Sequence, residues 1–312
     1  MSDIIPAGQD RIQLTPEQLQ AMKSLAIDGL NSPHSKAMYA LAIDDFLTWR
    51  EDQGGGPFRK AQVNAYKSHL QSSTDYAPST INLRLSAIRK LAAEAADNGV
   101  MDPILAQGVK NVEGVSTYGV RTGNWLTLEQ TQKLIRTPDI TTLKGLRDRA
   151  ILVVLIGGGL RRSEVANLTF DHVQMREARW VIVDLVGKRK RIRSVPIPAW
   201  VKAAIDEWTV TANIHGGRIF RSINKGSELS GPDMTPQAIA DVVKAYADQL
   251  GWELAAHDLR RTFAHLARKG GAELTQIQLS LGHASVKTTQ NYINEDQDLT
   301  SAPCDYIHVQ LA

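Results

Sequence analysis

Cysteine is almost absent from this chain, which has 312 residues and a single cysteine, Cys304. One thiol cannot form an intramolecular disulfide, so the sequence indicates a reducing compartment. One cysteine also cannot build a cysteine-rich zinc site, and the eight histidines include no His-Glu-x-x-His pair. We therefore expect no metal ion and no other cofactor.

Long apolar runs and nucleotide-binding loops are lacking as well. No uncharged apolar run reaches the roughly 18 residues that a bilayer-spanning helix needs, and residues 1–30 lack a signal-peptide pattern. There is no Gly-x-x-x-x-Gly-Lys-Ser/Thr loop, and the three glycines at 157–159 do not have dinucleotide-binding spacing. These absences predict a cytoplasmic protein without membrane partners and without ATP use.

Basic residues are clustered rather than in large excess. The net charge is only +3, from 36 Lys and Arg against 33 Asp and Glu. Any one cluster is typical of a solvated face, but four clusters beside candidate site residues favour contact with phosphate groups. The clusters are Arg147/Arg149, Arg161/Arg162, Lys188 to Arg193, and Arg260/Arg261 with Arg268/Lys269.

Helical periodicity dominates the first third of the chain. Helices are predicted from Pro16, over about 35–52, over about 60–71 and from Pro78 onward. The last of these has an apolar face from Ile81 to Ala95 and an opposite polar face that is suited to a DNA backbone. Its candidate DNA-binding residues are Arg84, Arg89 and Lys90.

The remaining sequence predicts a second domain of mixed structure. A glycine-rich segment without periodicity, residues 113–124, predicts a linker between a helical domain at 1–112 and a second domain at 125–312. The second domain begins with helices at about 127–136 and 145–157 and a short helix from Arg161. Strands at 179–185 and 192–198 then flank a basic turn at 187–191. A helix is predicted from Thr235 to about Gly251, and the sequence after it is helical to about Tyr292. The predicted fold class is mainly α with a small antiparallel β-sheet.

Six polar residues of the second domain form a candidate catalytic set. His and Arg three residues apart, at 257 and 260, share one face of a helix. His283 precedes Tyr292 by nine residues, across a turn and into the next helix. The set is Arg161, Lys188, His257, Arg260, His283 and Tyr292.

Three segments around these residues resemble the motifs of the tyrosine recombinase (phage integrase) family. GLRRSEV at 159–165 looks like its first arginine box, and HDLRRTFA at 257–264 resembles its His-x-x-Arg box. LGHASVKTTQNY at 281–292 is similar to its nucleophile box. Three boxes in order, with a Gly-Lys hairpin between the first two, make the resemblance specific. It covers the second domain and extends loosely to the first through Ser35-x-x-x-Tyr39 and PSTIN at 78–82.

The resemblance implies an α+β catalytic domain in which Tyr292 becomes joined to DNA. Tyr292 would attack a backbone phosphate, form a 3′-phosphotyrosine and release a 5′-hydroxyl. Arg161 and Arg260 would each hold non-bridging phosphate oxygens, where negative charge grows in the transition state. Because the phosphotyrosine ester keeps the bond energy, rejoining would require neither ATP nor metal.

Three further residues would move protons or support the phosphate. The resemblance implies that His257 accepts a proton, that His283 donates to the phosphate, and that Lys188 protonates the leaving oxygen. Lys190 is an alternative to Lys188, because it lies two residues along the same turn. Tyr306 is an alternative nucleophile, but no histidine precedes it at nine residues.

The sequence departs from the common family pattern at two places. Arg189 follows Lys188 where a glycine is frequent, and Arg261 follows Arg260 where a histidine often stands. Neither change removes a proposed catalytic group. Both add to the candidate DNA-binding residues of this domain, which are Arg162, Arg189, Lys190, Arg191 and Arg261.

The resemblance also implies partners. The helical domain would be a core-binding domain that closes a C-shaped grip on duplex DNA. Four protomers would bind two specific recombination sites and exchange strands through a Holliday junction, with accessory DNA-bending proteins as possible partners. Such an enzyme would be associated with the nucleoid and would integrate, excise or resolve DNA elements.

Two other functions are alternatives, and the first of them would use the same residues. One is nicking and closing of DNA, as in type IB topoisomerases, and the other is an architectural DNA-binding role without catalysis. The intact polar set argues against the second.

The two ends of the chain carry further expectations. Only about thirty residues precede the main helical pattern, so we expect no additional arm-site-binding domain. The segment after Tyr292 is expected to dock on a neighbouring protomer.

Overall fold

The computed structural model describes residues 16–55, 58–116, 124–187 and 192–293. The chain divides into two compact units, Met1–Val120 and Arg121–Ala312. The described residues are mainly helical and include one three-stranded antiparallel sheet, which confirms the predicted fold class. Within these ranges, no helix combines the length and apolar content that a membrane-spanning segment needs.

The first unit consists of five helices in its described part. Four of them begin with a proline in the first turn, where the missing N–H costs nothing. Side-chain caps from Ser32 and Asp102 satisfy further N–H groups at two of these starts. The helices are α1 (Pro16–Asp28), α2 (Pro33–Asp52), α3 (Lys60–Ser73), α4 (Pro78–Asp97) and α5 (Pro103–Lys110).

Helix α4 lies at the centre of this unit. It contacts the other four helices, and its predicted apolar face is buried from Ile81 to Ala95. Phe46 of α2 adds an edge-on contact with Tyr66 of α3 at 5.1 Å between ring centroids. Helix α5 was not predicted, because eight residues give too short a period to recognise.

The second unit is built around a helix buried on nearly every side. Helix α7 (Leu143–Gly158) follows α6 (Leu128–Arg136), which begins with a capping box between Thr127 and Gln130. The run from Ala150 to Ile156 is buried throughout, as expected for a central core helix. Helix α8 (Arg162–Ala166) and a 3₁₀ turn (Phe170–His172) then lead into the sheet.

The sheet confirms the predicted strand pair and adds one strand to it. The strands are β1 (Val173–Arg176), β2 (Arg179–Val186) and β3 (Ile192–Pro196) in the order β1-β2-β3. Val186 pairs with Ile192 at the base of the basic hairpin. The hairpin tip, residues 188–191, lies outside the described residues.

Five helices complete the described part of the second unit. Helix α9 (Ala199–Thr211) packs on α7, where a Cβ on Gly157 would lie 2.4 Å from Val201. It was not predicted. The remaining helices are α10 (Pro236–Gln249), α11 (Ala256–Lys269), α12 (Leu274–Leu281) and α13 (Val286–Ile293).

Candidate active site

Arg161 is held at a sharp turn between two helices. Gly159 directly follows the end of helix α7 and has a left-handed φ of +58°, and α8 begins directly after Arg161. The Glu164 carboxylate accepts the Arg161 backbone N–H at 2.8 Å and the Arg161 guanidinium at 2.8 Å. The side chain of Arg161 remains 31% exposed, so this arrangement orients it and leaves it accessible to a ligand.

Arg260 lies deep in the site. It is 1% exposed and donates to the carbonyl oxygens of Gly159 and Leu281, at the ends of α7 and α12. These bonds fix the plane of the guanidinium, whose terminal nitrogens each carry two N–H groups. His257 lies one turn earlier on α11, as the spacing predicted.

His283 follows another left-handed glycine. Gly282 ends α12 with φ +64°, and His283 comes next in the chain. Its Nδ1 lies 3.0 Å from the hydroxyl Oγ1 of Thr289, which is fully buried in α13. Gln278 donates to the His283 carbonyl at 3.1 Å. Both the ring and the backbone of this histidine are therefore held in place.

The charges of these residues act on one another. Burial, and then the positive charges of Arg260 and Arg161, lower the pKa of His283 to about 4. Partial burial, and then the charges of Arg260, Arg261 and Arg161, lower the pKa of His257 as well. The structure thus brings Arg161, His257, Arg260 and His283 into one region of positive potential.

Arg193 joins this region in a way that the sequence did not predict. It was grouped with the basic hairpin as a phosphate contact, but its side chain is only 8% exposed and pairs with Glu164 at 2.7 Å. Burial alone would raise the pKa of Glu164, but the hydrogen bonds and charge of Arg193, with those of Arg161, lower it to about 2. Arg193 lies two residues before the buried Val195 in β3, so the two side chains share the inward face of the strand. This inward position is the signal that would have indicated a buried partner.

Tyr292 lies in the last described helix. Helix α13 packs against α11 and α12, and the neighbouring Ile293 is buried in a small core with Ala264, Ile277 and Leu281. This packing places α13 against α11, which carries His257 and Arg260, and against α12, which directly precedes the turn with His283. The side chain of Tyr292 is outside the described part of the structure, as are the candidates Lys188, Arg189, Lys190 and Arg191 and the alternative Tyr306.

A pocket of about 510 Å³ opens beside Arg161 and His257. It continues along α10, where Arg162 donates to Gln237 at 3.3 Å. Arg162 is exposed, in keeping with its predicted role. Lys244 also lines the pocket but pairs with Asp248 at 2.8 Å, and Asp241 adds a negative charge. The positive charge of the pocket therefore comes mainly from Arg161 and Arg162.

The predicted basic cluster of Arg147 and Arg149 has partners within the second unit. Arg147 is buried against Asp148 at 2.7 Å, and Arg149 pairs with Glu207. These two arginines stabilise the fold, which gives the sequence prediction of phosphate contact no support at this cluster.

The candidate DNA-binding residues of the first unit also have partners. On α4, Arg84 is buried and pairs with Asp45, Arg89 donates to a backbone carbonyl, and Lys90 pairs with Glu94 at 2.9 Å. Burial makes Arg84 a core residue in this structure. Contact of Arg89 and Lys90 with DNA stays a prediction.

Known proteins resemble this chain over most of its length. Residues 124–298 match the model of the phage integrase family. The chain is 32% identical over 298 residues to the tyrosine recombinase XerC of Pelobacter propionicus, covering 94% of this chain and 95% of that protein. It is 29% identical over 272 residues to the tyrosine recombinase XerC of Myxococcus xanthus, covering 84% and 87%.

Solved structures share the fold at lower identity. The Tn1549 transposon integrase in complex with transposon right end DNA matches with a TM-score of 0.69 and 16% identity, over 92% of this chain and 98% of that one. The XerH site-specific recombinase bound to palindromic difH substrate matches with a TM-score of 0.67 and 18% identity, over 90% and 81%.

Proposed function

The chain belongs to the phage integrase family, and on that premise we propose that it recombines DNA at specific sites through a 3′-phosphotyrosine on Tyr292. It is a tyrosine-type site-specific recombinase, as are its relatives named XerC. The proposed reaction breaks the bond between a scissile phosphorus and the 5′-oxygen of the next nucleotide. The phosphorus then carries the Tyr292 oxygen instead, and the released strand ends in a 5′-hydroxyl.

The observation that carries this proposal is the grouping of two arginines and two histidines from three helical boundaries. Arg161 and Arg260 both lower the pKa of His283, which means that the site has a positive potential before any anion binds. A backbone phosphodiester supplies the missing negative charge. Its non-bridging oxygens would accept hydrogen bonds from the two guanidinium groups.

The arginines act mainly in the transition state. Negative charge grows on the non-bridging oxygens as the fifth oxygen approaches, so donors that are already in place stabilise that state most. Glu164 holds Arg161, and two helix-end carbonyls hold Arg260, so neither guanidinium has to be reorganised during the reaction. Loss of one such donor typically costs about 3–4 kcal/mol, or roughly 10²–10³ in rate.

The lowered pKa values favour the neutral form of both histidines. His283, with a pKa of about 4, is neutral at pH 7 before DNA binds, and the lowered pKa of His257 acts in the same direction. A neutral His257 can accept the proton of the Tyr292 phenol, whose ordinary pKa is near ~10. His283 would donate to a phosphate oxygen, and Lys188 would protonate the leaving 5′-oxygen.

The assembly is also part of the proposal. Residues 1–112 would form the core-binding domain, 113–124 the linker and 125–312 the catalytic domain. Four protomers would bring two DNA sites together and exchange strands through a Holliday junction, to integrate, excise or resolve DNA elements. Support comes from the family and from relatives whose solved structures contain DNA.

A nicked duplex tests the covalent step. A binding site is first selected with the wild-type protein from duplexes of randomised sequence, and a nick is then placed just 3′ of the scissile phosphate. Cleavage releases a short 5′-hydroxyl fragment that diffuses away, so the covalent protein–DNA complex accumulates. We expect a covalent band with the wild type and none with Tyr292→Phe.

Tyr306→Phe is the matched control, because it removes the alternative phenol in the same part of the chain. That variant should give the wild-type band. A band that persists in Tyr292→Phe and disappears in Tyr306→Phe would overturn the assignment of the nucleophile, and no band with the wild-type protein would overturn the proposed cleavage.

A further inference from the structure

Arg193 of β3 makes three directed hydrogen bonds. Its two terminal nitrogens donate to the two carboxylate oxygens of Glu164 at 2.7 and 2.8 Å. Its Nε donates to the carbonyl of Ser280 at 2.8 Å, in the last turn of α12. A single planar side chain therefore connects β3, α8 and α12.

Glu164 carries this connection to Arg161. The carboxylate oxygen that faces one Arg193 nitrogen also accepts the Arg161 guanidinium, and its other oxygen accepts the Arg161 backbone N–H. Glu164 is 7% exposed, so these bonds form away from bulk water. Any displacement of Arg193 must move the carboxylate that orients Arg161.

The turn before His283 rests on the same side chain. A Cβ on Gly282 would lie 2.8 Å from Cδ of Arg193, so the stem of the arginine lies directly across this glycine. Arg260 donates to the neighbouring carbonyl of Leu281. Arg193 and Arg260 together fix the last turn of α12 and the position at which His283 begins.

We propose that Arg193 is a positioning residue, which holds Arg161 and the turn before His283 at the separation that the scissile phosphate requires. The inference rests on the proposed cleavage reaction. A buried ion pair usually adds little net stability compared with apolar packing, so a charged network at this place is better explained by geometry than by stability. Sub-ångström placement of phosphate donors is the property that such a network supplies.

The test compares two scissile linkages in the nicked duplex. One is the natural phosphodiester, and the other is a methylphosphonate, in which a methyl group replaces one charged non-bridging oxygen. Cleavage is followed by release of the 5′-hydroxyl fragment under single-turnover conditions at saturating protein. The neutral linkage needs less cationic stabilisation, so it reports whether a defect acts through the phosphate donors.

Arg193→Gln should bind the selected duplex with wild-type affinity and cleave the phosphodiester about 10²-fold more slowly. On the methylphosphonate, its defect relative to the wild type should shrink to less than about 10-fold. Arg193→Lys keeps the charge opposite Glu164 but not the planar fork, so its rate of phosphodiester cleavage should lie between those of the wild type and Arg193→Gln. If Arg193→Gln does not fold, the same comparison of the two linkages is made with Arg193→Lys.

Arg176→Gln is the matched control, since it removes an exposed arginine from β1 of the same sheet and should cleave both linkages as the wild type does. If Arg193→Gln lost the same factor in cleavage rate on both linkages, the defect would be a general folding defect and the inference would be overturned. A wild-type cleavage rate in Arg193→Gln would overturn it as well. In either case a wild-type covalent band would leave the proposed function standing, whereas absence of that band would overturn the function itself.

Discussion

Thr289 decides how His283 presents its ring. The Thr289 hydroxyl is fully buried and lies 3.0 Å from Nδ1 of His283, so it directs the opposite ring nitrogen, Nε2, away from α13. Because the pKa of His283 is about 4, the ring is neutral at pH 7 before DNA binds, and only one of its nitrogens carries a proton. The hydrogen bond to Thr289 holds the ring in one orientation with either nitrogen protonated, because a hydroxyl can donate or accept.

Thr289→Val removes this hydroxyl at nearly constant volume. A hydrogen bond of this kind contributes about 1 kcal/mol, so we expect cleavage of the nicked duplex to slow by about fivefold. Thr289→Ser keeps the hydroxyl and should cleave within about twofold of the wild type. Single-turnover fragment release measures both variants, and equal rates in Val and Ser would show that the hydroxyl does not orient His283.

At the scale of single residues, motif spacing was sufficient to identify the catalytic candidates. Arg161, His257, Arg260 and His283 stand in sequence patterns that predict their type of chemistry, and the structure brings these four together. The contributions of Arg193 and Thr289 could not be predicted in the same way. Their partners lie on other elements of the fold, so their roles depend on tertiary contacts that no local pattern contains.

At the scale of the secondary-structure elements, the junction between α7 and α8 depends on a glycine. Gly159 has φ +58°, and a Cβ there would lie 2.6 Å from the ring of Phe263 on α11. Its carbonyl also accepts a hydrogen bond from Arg260. The position therefore requires both a left-handed backbone and close contact between two helices.

Gly159→Ala should consequently destabilise the protein more than the same change at Gly251. Gly251 follows α10 with φ +70°, but a Cβ there would meet no atom within 4 Å. The left-handed backbone alone should cost Gly251→Ala about 1–2 kcal/mol of unfolding free energy. Overpacking against Phe263 should cost Gly159→Ala a further ~1–3 kcal/mol.

Urea titration of both variants measures this difference, because the slope with denaturant should stay constant while the midpoint moves. Equal midpoints for the two alanine variants would show that Phe263 moves aside without cost.

Helices and strands were predicted correctly where the local sequence pattern and the tertiary packing favour the same structure. Helix α4 has a continuous apolar face of helical period, and β2 is rich in β-branched and aromatic residues. Helix α9 was missed because Trp200, Val201, Ile205 and Val210 favour helices only weakly. It is stabilised by packing on α7, which the sequence alone does not show. Strand β1, with four residues, is too short to display alternation.

Binding of a polyanion by the whole molecule should depend strongly on salt even though the net charge is only +3. What matters is how many phosphates the basic surface neutralises, since each neutralised phosphate releases condensed counterions. With roughly 6–10 phosphate contacts per protomer, affinity for the selected duplex should fall by about 10³–10⁵ between roughly 50 and 200 mM salt.

A pair of exposed basic residues separates local contact from overall charge. Arg162 lines the pocket beside Arg161, whereas Lys133 of α6 lines a different surface pocket. Arg162→Ala should reduce the slope of log affinity against log salt by about one, while Lys133→Ala should leave it unchanged. Fluorescence anisotropy across a salt series gives both slopes. Since the two variants lose the same charge, equal slopes would mean that DNA responds to the net charge of the protein and does not lie along the pocket at Arg162.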